Sequence, residues 1–239
     1  MTGALPPEGR LRRDVVEACR RLHERGLIGA GEGNVSCRLG PDRLLVTPSG
    51  ANKGFLRPED LLVVDAEGRV VRGRGRPSTE LRMHLAAYRA RPDAGAVVHA
   101  HPLTAVAFTV AGLPPPNAIL PEAVLVLGEV AVAPFATPGT DEVPRSLAGL
   151  WRGREVLLLE RHGALALGRD VFQAFDRVET LERVCRVALA ARLLGRCEPL
   201  PPDAVDGVRR AGQALARGAT SRTARRPRSR ARSPRRSRP

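Results

Sequence analysis

The stretch VVHAHP (97–102) closes an apolar run with two of the chain's five histidines. In an extended strand, side chains alternate between faces, so His99 and His101 point the same way. Two imidazoles so placed are either a polar pair on a wet surface or two arms of a metal site. A third candidate is His162 in LLLERHGAL, after an apolar run and before Gly163. That is the exposed end of a buried strand, where functional side chains often sit. A catalytic zinc commonly takes three protein ligands and keeps one position for water or substrate. Three histidines meet that count; three satisfied polar histidines are the competing reading. Of the other two, His23 falls on the polar side of a helix and is expected in solvent. His84 lies one turn after Glu80, and either orients that carboxylate or a ligand, or is a hydrogen-bonded histidine partly in the core.

A second group of residues suits an anion. GEGNVS (31–36) sets a glycine beside a small polar residue at the start of a strand, and TPSG (47–50) repeats the theme at the end of another. RPSTE (76–80) falls where a helix begins, so Ser78 or Thr79 is an expected N-cap with unpaired N–H groups nearby. Hydroxyls and free amides at a helix N-terminus attract phosphate. Each segment taken alone is also what an ordinary turn looks like. Lys53 is the sole lysine, which leaves one candidate for Schiff-base chemistry.

Elements must hold these residues in place. LRRDVVEACRRLHERGL (11–27) has helical spacing and ends at Gly26. Short strands are expected at VSCRL, RLLVT, LLVVD and RVVRG, followed by a helix over 79–91 stopped by Pro92. AGAVVHAH then reads as a buried strand and TAVAFTVAG as a helix. AVLVLG (123–128) and VAVAPF (130–135) read as strands, and TDEVPRSLAGLW (140–151) as a helix. EVLLLE and ALALG are strands either side of the RHG turn, and 171–195 is the longest helix. Helices and strands are mixed without a strict βαβ rhythm, and no GxGxxG follows a strand.

The net charge of +14 suggests nucleic acid until it is located. Residues 208–239 hold twelve arginines and no acid; removing those twelve charges leaves +2 for residues 1–207. The sequence therefore divides into a globular domain, 1–205, and an Arg/Ser/Pro-rich segment, 206–239, expected to be disordered. That segment is either an arm for nucleic acid or another polyanion, or a dispensable extension. No apolar run reaches the roughly 18–20 residues of a membrane helix. The N-terminus lacks a secretory h-region, and Cys19, Cys37, Cys185 and Cys197 show no metal or disulfide spacing. A cytoplasmic protein with reduced thiols is expected.

Taken in order, GNVS, TPSG, PSTE, HAHP and the late HG resemble the motifs of the class II aldolase/adducin family, over roughly residues 10–195. The resemblance implies an α/β fold: three αβα layers around a central, mainly antiparallel sheet, assembled as a homotetramer with sites between subunits. Carried over by motif, His99, His101 and His162 would bind Zn2+ or another divalent metal. Glu80 would approach the metal and act as general acid/base, while Asn34, Ser49, Gly50, Ser78 and Thr79 would hold a substrate phosphate. The implied activity is a zinc-dependent lyase that cleaves a ketose 1-phosphate or related sugar phosphate to dihydroxyacetone phosphate and an aldehyde. A metal-stabilised enediolate would be formed, with Glu80 moving the proton. An epimerase or dehydratase on the same fold would keep the same groups, and an adducin-like scaffold would need none of them. One departure stands out. Aldolases of the family place a tyrosine where counting nineteen positions on from His101 reaches Leu120, and the only tyrosine here is Tyr88, expected in packing or at an interface. A second, late tyrosine of those aldolases also has no counterpart. Glu122 could supply a polar group near Leu120, or be an exposed loop carboxylate.

Overall fold

The computed structural model describes residues 5–223. They divide into two units, one ending at Leu200 and one beginning at Pro201. In the first, eight strands form one sheet in the order β4-β3-β2-β1-β5-β8-β7-β6. They are β1 (Asn34–Arg38), β2 (Arg43–Val46), β3 (Leu62–Asp65), β4 (Val70–Arg72), β5 (Ala96–Ala100), β6 (Ala131–Ala133), β7 (Val156–Leu159) and β8 (Gly163–Gly168). Only the β6–β7 pair is parallel. The helices are α1 (Glu8–Glu24), α2 (Leu81–Ala90), α3 (Leu103–Val110), α4 (Glu142–Ser146) and α5 (Val171–Leu193), with α6 (Pro202–Thr223) in the second unit.

Strand alternation sorts the apolar side chains into two cores. On one face Val35, Val98, Ala100 and Ala164 pack under α1, α3 and α5. On the other, Val97, Leu165 and Leu167 pack under α2 and the α4 region. The expected three-layer αβα arrangement with a mainly antiparallel sheet is the one observed. Period-2 alternation also decides where the chemistry lies: Ala96, Val98 and Ala100 belong to the first face, so His99 belongs to the second, the side of α2.

Four expectations need correction. AVLVLG is not a strand but a π-helical turn, Ala123–Leu127. Ala123 and Leu127 are buried while Leu125 is half exposed, so the burial follows a helical turn and not alternation. A short apolar run does not distinguish the two. The helix expected over 140–151 shrinks to α4, with Pro144 inside it and Gly149 at φ 78° preventing its continuation. Residues 206–223, expected to be disordered, lie within α6; GVRRAGQALARGA is rich in Ala and Arg, good helix formers that need no apolar periodicity. The remainder of that segment, 224–239, lies outside the described residues. Finally, His23 is not a solvated residue. Its ring packs on Phe55 with centroids 5.6 Å apart, and its Nδ1 is buried.

Candidate metal and phosphate site

The three sequence-distant histidines meet. Ring centroids of His99, His101 and His162 lie 4.8, 4.9 and 5.2 Å apart, and their candidate ligand nitrogens all lie within 4.8 Å of one another. His99 comes from the middle of the sheet, His101 from just past the end of β5. His162 comes from the tight β7–β8 turn, where Arg161 adopts φ 56° and its N–H donates to Thr109 Oγ1. Gly163 makes the convergence possible. A Cβ there would meet the Ala100 carbonyl at 2.5 Å and the His101 and His99 rings at 2.9 Å.

The backbone aims the rings. His99 Nδ1 is 3.0 Å from the Ala164 carbonyl, an acceptor only, so Nδ1 carries the proton and Nε2 presents its lone pair. His101 Nε2 is 3.0 Å from His99 Nε2. Two nitrogens on a tetrahedral zinc stand about 3.3 Å apart, so this pair is set close to a chelating spacing. Burial lowers the pKa of both His99 and His101 against the pull of nearby carboxylates. Neutral rings are what a metal requires.

Glu80 sits against this trio. Its Oε1 is 3.0 Å from His162 Nε2 and its Oε2 is 3.4 Å from His99 Nε2. Asn34 Nδ2 donates to Oε2 at 2.8 Å. Burial by itself raises the Glu80 pKa, but the hydrogen bonds from His162 and Asn34 outweigh it and hold the carboxyl below its ordinary range. Between His99 and Glu80, the charge therefore belongs to the carboxylate: the ring has no exposure and burial decides its state.

The three expected phosphate segments also come together. Asn34 lies opposite His99 in the β1–β5 register, and its Nδ2 also approaches Ser78 Oγ at 3.3 Å. Pro48 and Pro77 form a β-bridge and Ser49 N–H donates to the Arg76 carbonyl at 2.8 Å, so TPSG and RPSTE run side by side. Gly50 follows at φ 72°. Thr79 is exposed and borders Gly139. Neither Ser78 nor Thr79 caps α2 as expected. Glu80 itself occupies the N-cap position, and Ser78 Oγ accepts from the Glu80 N–H at 3.2 Å, which fixes the carboxylate's backbone instead.

Glu32 is a residue that the motif reading passed over. Its Oε2 accepts from the Gly29 N–H at 2.7 Å and lies 3.5 Å from His101 Nδ1, so it steers the second ring. The available signal was an acid between two glycines, two residues before Asn34. Lys53 is buried and donates to the carbonyls of Gly31 and Ala51, tying two loops together. Tyr88 is a packing residue in the core, with its hydroxyl 3.0 Å from Ser36 Oγ. Glu122 is exposed.

The family described as class II aldolase and adducin N-terminal domain matches residues 13–189 of this sequence. The chain belongs to that family. Among curated members it is similar to the 3-oxo-tetronate 4-phosphate decarboxylase of Haemophilus influenzae, 36% identical over 177 residues, covering 72% of this chain and 84% of the relative. It is also similar to the 5-methylthioribulose-1-phosphate/5-deoxyribulose-1-phosphate aldolase of Rhodospirillum rubrum, 34% identical over 83% of this chain and 89% of that one. The crystal structure of L-fuculose-1-phosphate aldolase from Thermus thermophilus superposes with a TM-score of 0.70 at 35% identity, covering 80% of this chain and 99% of the other. The class II aldolase fold is thus shared, and the family match ends before the second unit begins. Class II aldolases depend on a metal, and the three-histidine cluster is where this chain could hold one. All four cysteines are free, and no helix among the described residues is long and apolar enough to cross a membrane.

Proposed function

We propose that residues 1–205 form a zinc-dependent lyase that cleaves a ketose 1-phosphate to dihydroxyacetone phosphate and an aldehyde. The observation that carries this reading is the convergence of His99, His101 and His162 on one point with Glu80 beside them. The donor set fits a divalent ion: three imidazoles, one with its tautomer fixed by a backbone carbonyl, and a carboxylate alongside. Bound there, Zn2+ supplies Lewis acidity that draws electron density from substrate oxygens.

The rest is done by the chain. Ser49, Gly50, Ser78 and Thr79 offer hydroxyl and backbone donors for the phosphate, and Asn34, its amide turned to Glu80 and Ser78, ties that cradle to the carboxylate, which seats the substrate's three-carbon end beside the histidines. Glu80, held ionised by Asn34 and His162, takes or returns the proton at the carbon next to the carbonyl. Lys53 is no Schiff-base candidate in this reading, because its ammonium is buried against two carbonyls. A homotetramer completes the reading: Leu103, Leu193 and Leu194 are more than seven-tenths exposed on α3 and at the end of α5, apolar surface that a partner copy would cover. The twelve arginines of 208–239 would serve as a polyanion-binding arm, readable as salt-sensitive retention on heparin that is lost on truncation.

A second reading is a decarboxylase of a phosphorylated 3-oxo acid. Its support is Leu120, which packs on the apolar core where family aldolases carry a proton-donating tyrosine. Carbon dioxide leaves without a proton, whereas an aldehyde fragment exchanges one at its oxygen. The same phosphate cradle and the same Glu80 serve both. A panel of ketose 1-phosphates and 3-oxo-tetronate 4-phosphate, assayed for dihydroxyacetone phosphate and for carbon dioxide, separates them. Epimerised product without cleavage refutes both.

A further inference from the structure

Two polar atoms beside Glu80 are buried with no hydrogen-bond partner among the described residues: Asn34 Oδ1 and His84 Nε2. Their residues are 5% and 1% exposed, so bulk solvent does not satisfy them. A buried polar group left unpaired costs about 1–3 kcal/mol, so each calls for a partner. Both residues line one small cavity with Ser78, Thr47 and Leu81. It encloses about 10 Å³, at the lower edge of the roughly 10–15 Å³ that a single water needs.

The bond to Glu80 fixes which way the Asn34 amide faces. Glu80 is a carboxylate and only accepts, so Asn34 must turn its Nδ2 to Glu80 and its Oδ1 into the cavity. On the far side, His84 Nδ1 is 2.7 Å from Ser36 Oγ, which is in turn 3.0 Å from the Tyr88 hydroxyl. A hydroxyl can donate one proton and accept another, so Ser36 can relay the direction set by its neighbours.

We infer that one ordered water joins His84 Nε2 to Asn34 Oδ1, making His84 a positioning residue for the Asn34–Glu80 pair. The chain then runs one way. Tyr88 O–H donates to Ser36, Ser36 O–H to His84 Nδ1, and His84 Nε2–H to the water. The water donates to Asn34 Oδ1, and Asn34 Nδ2–H donates to Glu80. Each donor named in this series meets an acceptor. Bonds aligned in this way polarise one another, and the last of them falls on the carboxylate. The inference rests on Glu80 acting as the acid/base; its structural half, the water and the tautomer, does not.

Two measurements test it. The first is 15N NMR of histidine-labelled protein, with the His84 signals assigned by their loss in His84→Gln. The expected spectrum at neutral pH has the proton on Nε2 and a bare Nδ1; a proton on Nδ1 overturns the inference without any assay. The second is turnover of L-fuculose 1-phosphate by metal-loaded variants. His84→Leu and His84→Asn, which cannot reach the water, are expected to lose about tenfold in kcat with KM within about twofold and metal content unchanged. His84→Gln, which keeps a donor at the Nε2 end, is expected to recover to within about threefold of wild type. Equal losses in Gln and Leu, or no loss in either, overturn it. Should His84→Leu fail to fold, the Asn–Gln comparison and the tautomer still decide. Wild-type turnover in Glu80→Gln would instead refute the parent reading of the site, whatever the tautomer.

Discussion

Replacing Gly163 by alanine perturbs the proposed metal site without removing a ligand. A Cβ at this position would stand 2.5 Å from the Ala100 carbonyl and 2.9 Å from His101 Cδ2 and His99 Cε1. Ordinary contacts begin near 3.4 Å, so the backbone contact is short by about 0.9 Å and each ring contact by about 0.5 Å. Ala100 is sheet backbone and cannot swing aside, so β5 and β8 must part at this register. A parting of about 0.5 Å or more takes the 3.0 Å His99 Nδ1–Ala164 bond to the limit of hydrogen bonding. It also exceeds the roughly 0.2 Å tolerance of metal–ligand distances. Losing a ligand's orienting partner typically costs about 10–100-fold in metal affinity, and forcing an extra methyl into a packed core costs about 1–3 kcal/mol. Zinc titration of apo-protein against a competing chelator should therefore show at least about tenfold weaker binding in Gly163→Ala. Its melting temperature should fall by roughly 2–12 °C. Gly40→Ala is the control, since a Cβ there meets nothing within 4 Å and its φ is not positive. If Gly163→Ala binds zinc and melts like Gly40→Ala, the closeness of the two strands is not what converges the rings.

Other outcomes rest on the same geometry. His162→Ala should lose bound metal, measured by plasma emission, while Glu80→Gln should retain it yet lose about 10²–10⁴-fold in kcat; the reverse pattern would exchange their roles. Treatment with borohydride and substrate should leave activity intact, and an adduct on Lys53 would sink the metal-based reading. Burial raises the thiols of Cys19, Cys37 and Cys185 to about 12. In the native protein a thiol reagent should thus label Cys197, the one that is partly exposed, and reach all four only in denaturant. Acid should destabilise the fold through His84, whose pKa burial lowers from 6.5 to about 4. The unfolded chain binds this proton first, so stability is full above about pH 6.5 and is lost as pH falls toward 4, by about 3 kcal/mol from this group. Denaturation at a series of pH values should show a shallower acid decline in His84→Gln, and identical declines would refute the assignment.

Much of the fold and site is legible in the residues because strand alternation is strict. His99 and His101 share a face whichever helices cover it, and the apolar runs at 94–101, 155–160 and 164–168, read as buried strands, hold β5, β7 and β8. The family's motif order then suggests Asn34, Ser78 and Glu80 as their neighbours; Asn34 bonds to Ser78 and Glu80, and Glu80 contacts His99 and His162. What is not legible depends on tertiary packing. AVLVL has no periodicity that separates a strand from a π-turn, and only the burial of Ala123 and Leu127 against α5 decides it. His23 looks polar by helical position, but the loop carrying Phe55 folds back over it. Glu32 gives little signal because its role, holding His101 from a glycine-rich turn, uses a contact across separate segments. In residues 206–223 an arginine-rich composition points away from order while helix propensity points toward it, and propensity wins.

The division between legible and illegible parts coincides with a division in the chemistry. The groups proposed for metal and proton transfer, with Asn34, sit on or beside β1, β5, the β7–β8 turn and the start of α2, and strand register sets Asn34 opposite His99. A shift of one residue in β5 would turn His99 into the opposite core. Leu120 and Glu122 instead lead into an irregular turn whose conformation the sheet does not dictate. Changes there leave the histidine cluster intact and alter only what happens to the departing fragment. A family that holds both a phosphate-ester decarboxylase and sugar-phosphate aldolases among the relatives of this chain is expected to vary there. Leu120→Tyr makes the point testable: restoring a hydroxyl should raise retro-aldol cleavage relative to decarboxylation, with zinc affinity unchanged. A change in zinc affinity, or none in the ratio of products, would show that this turn does not govern the fate of the fragment.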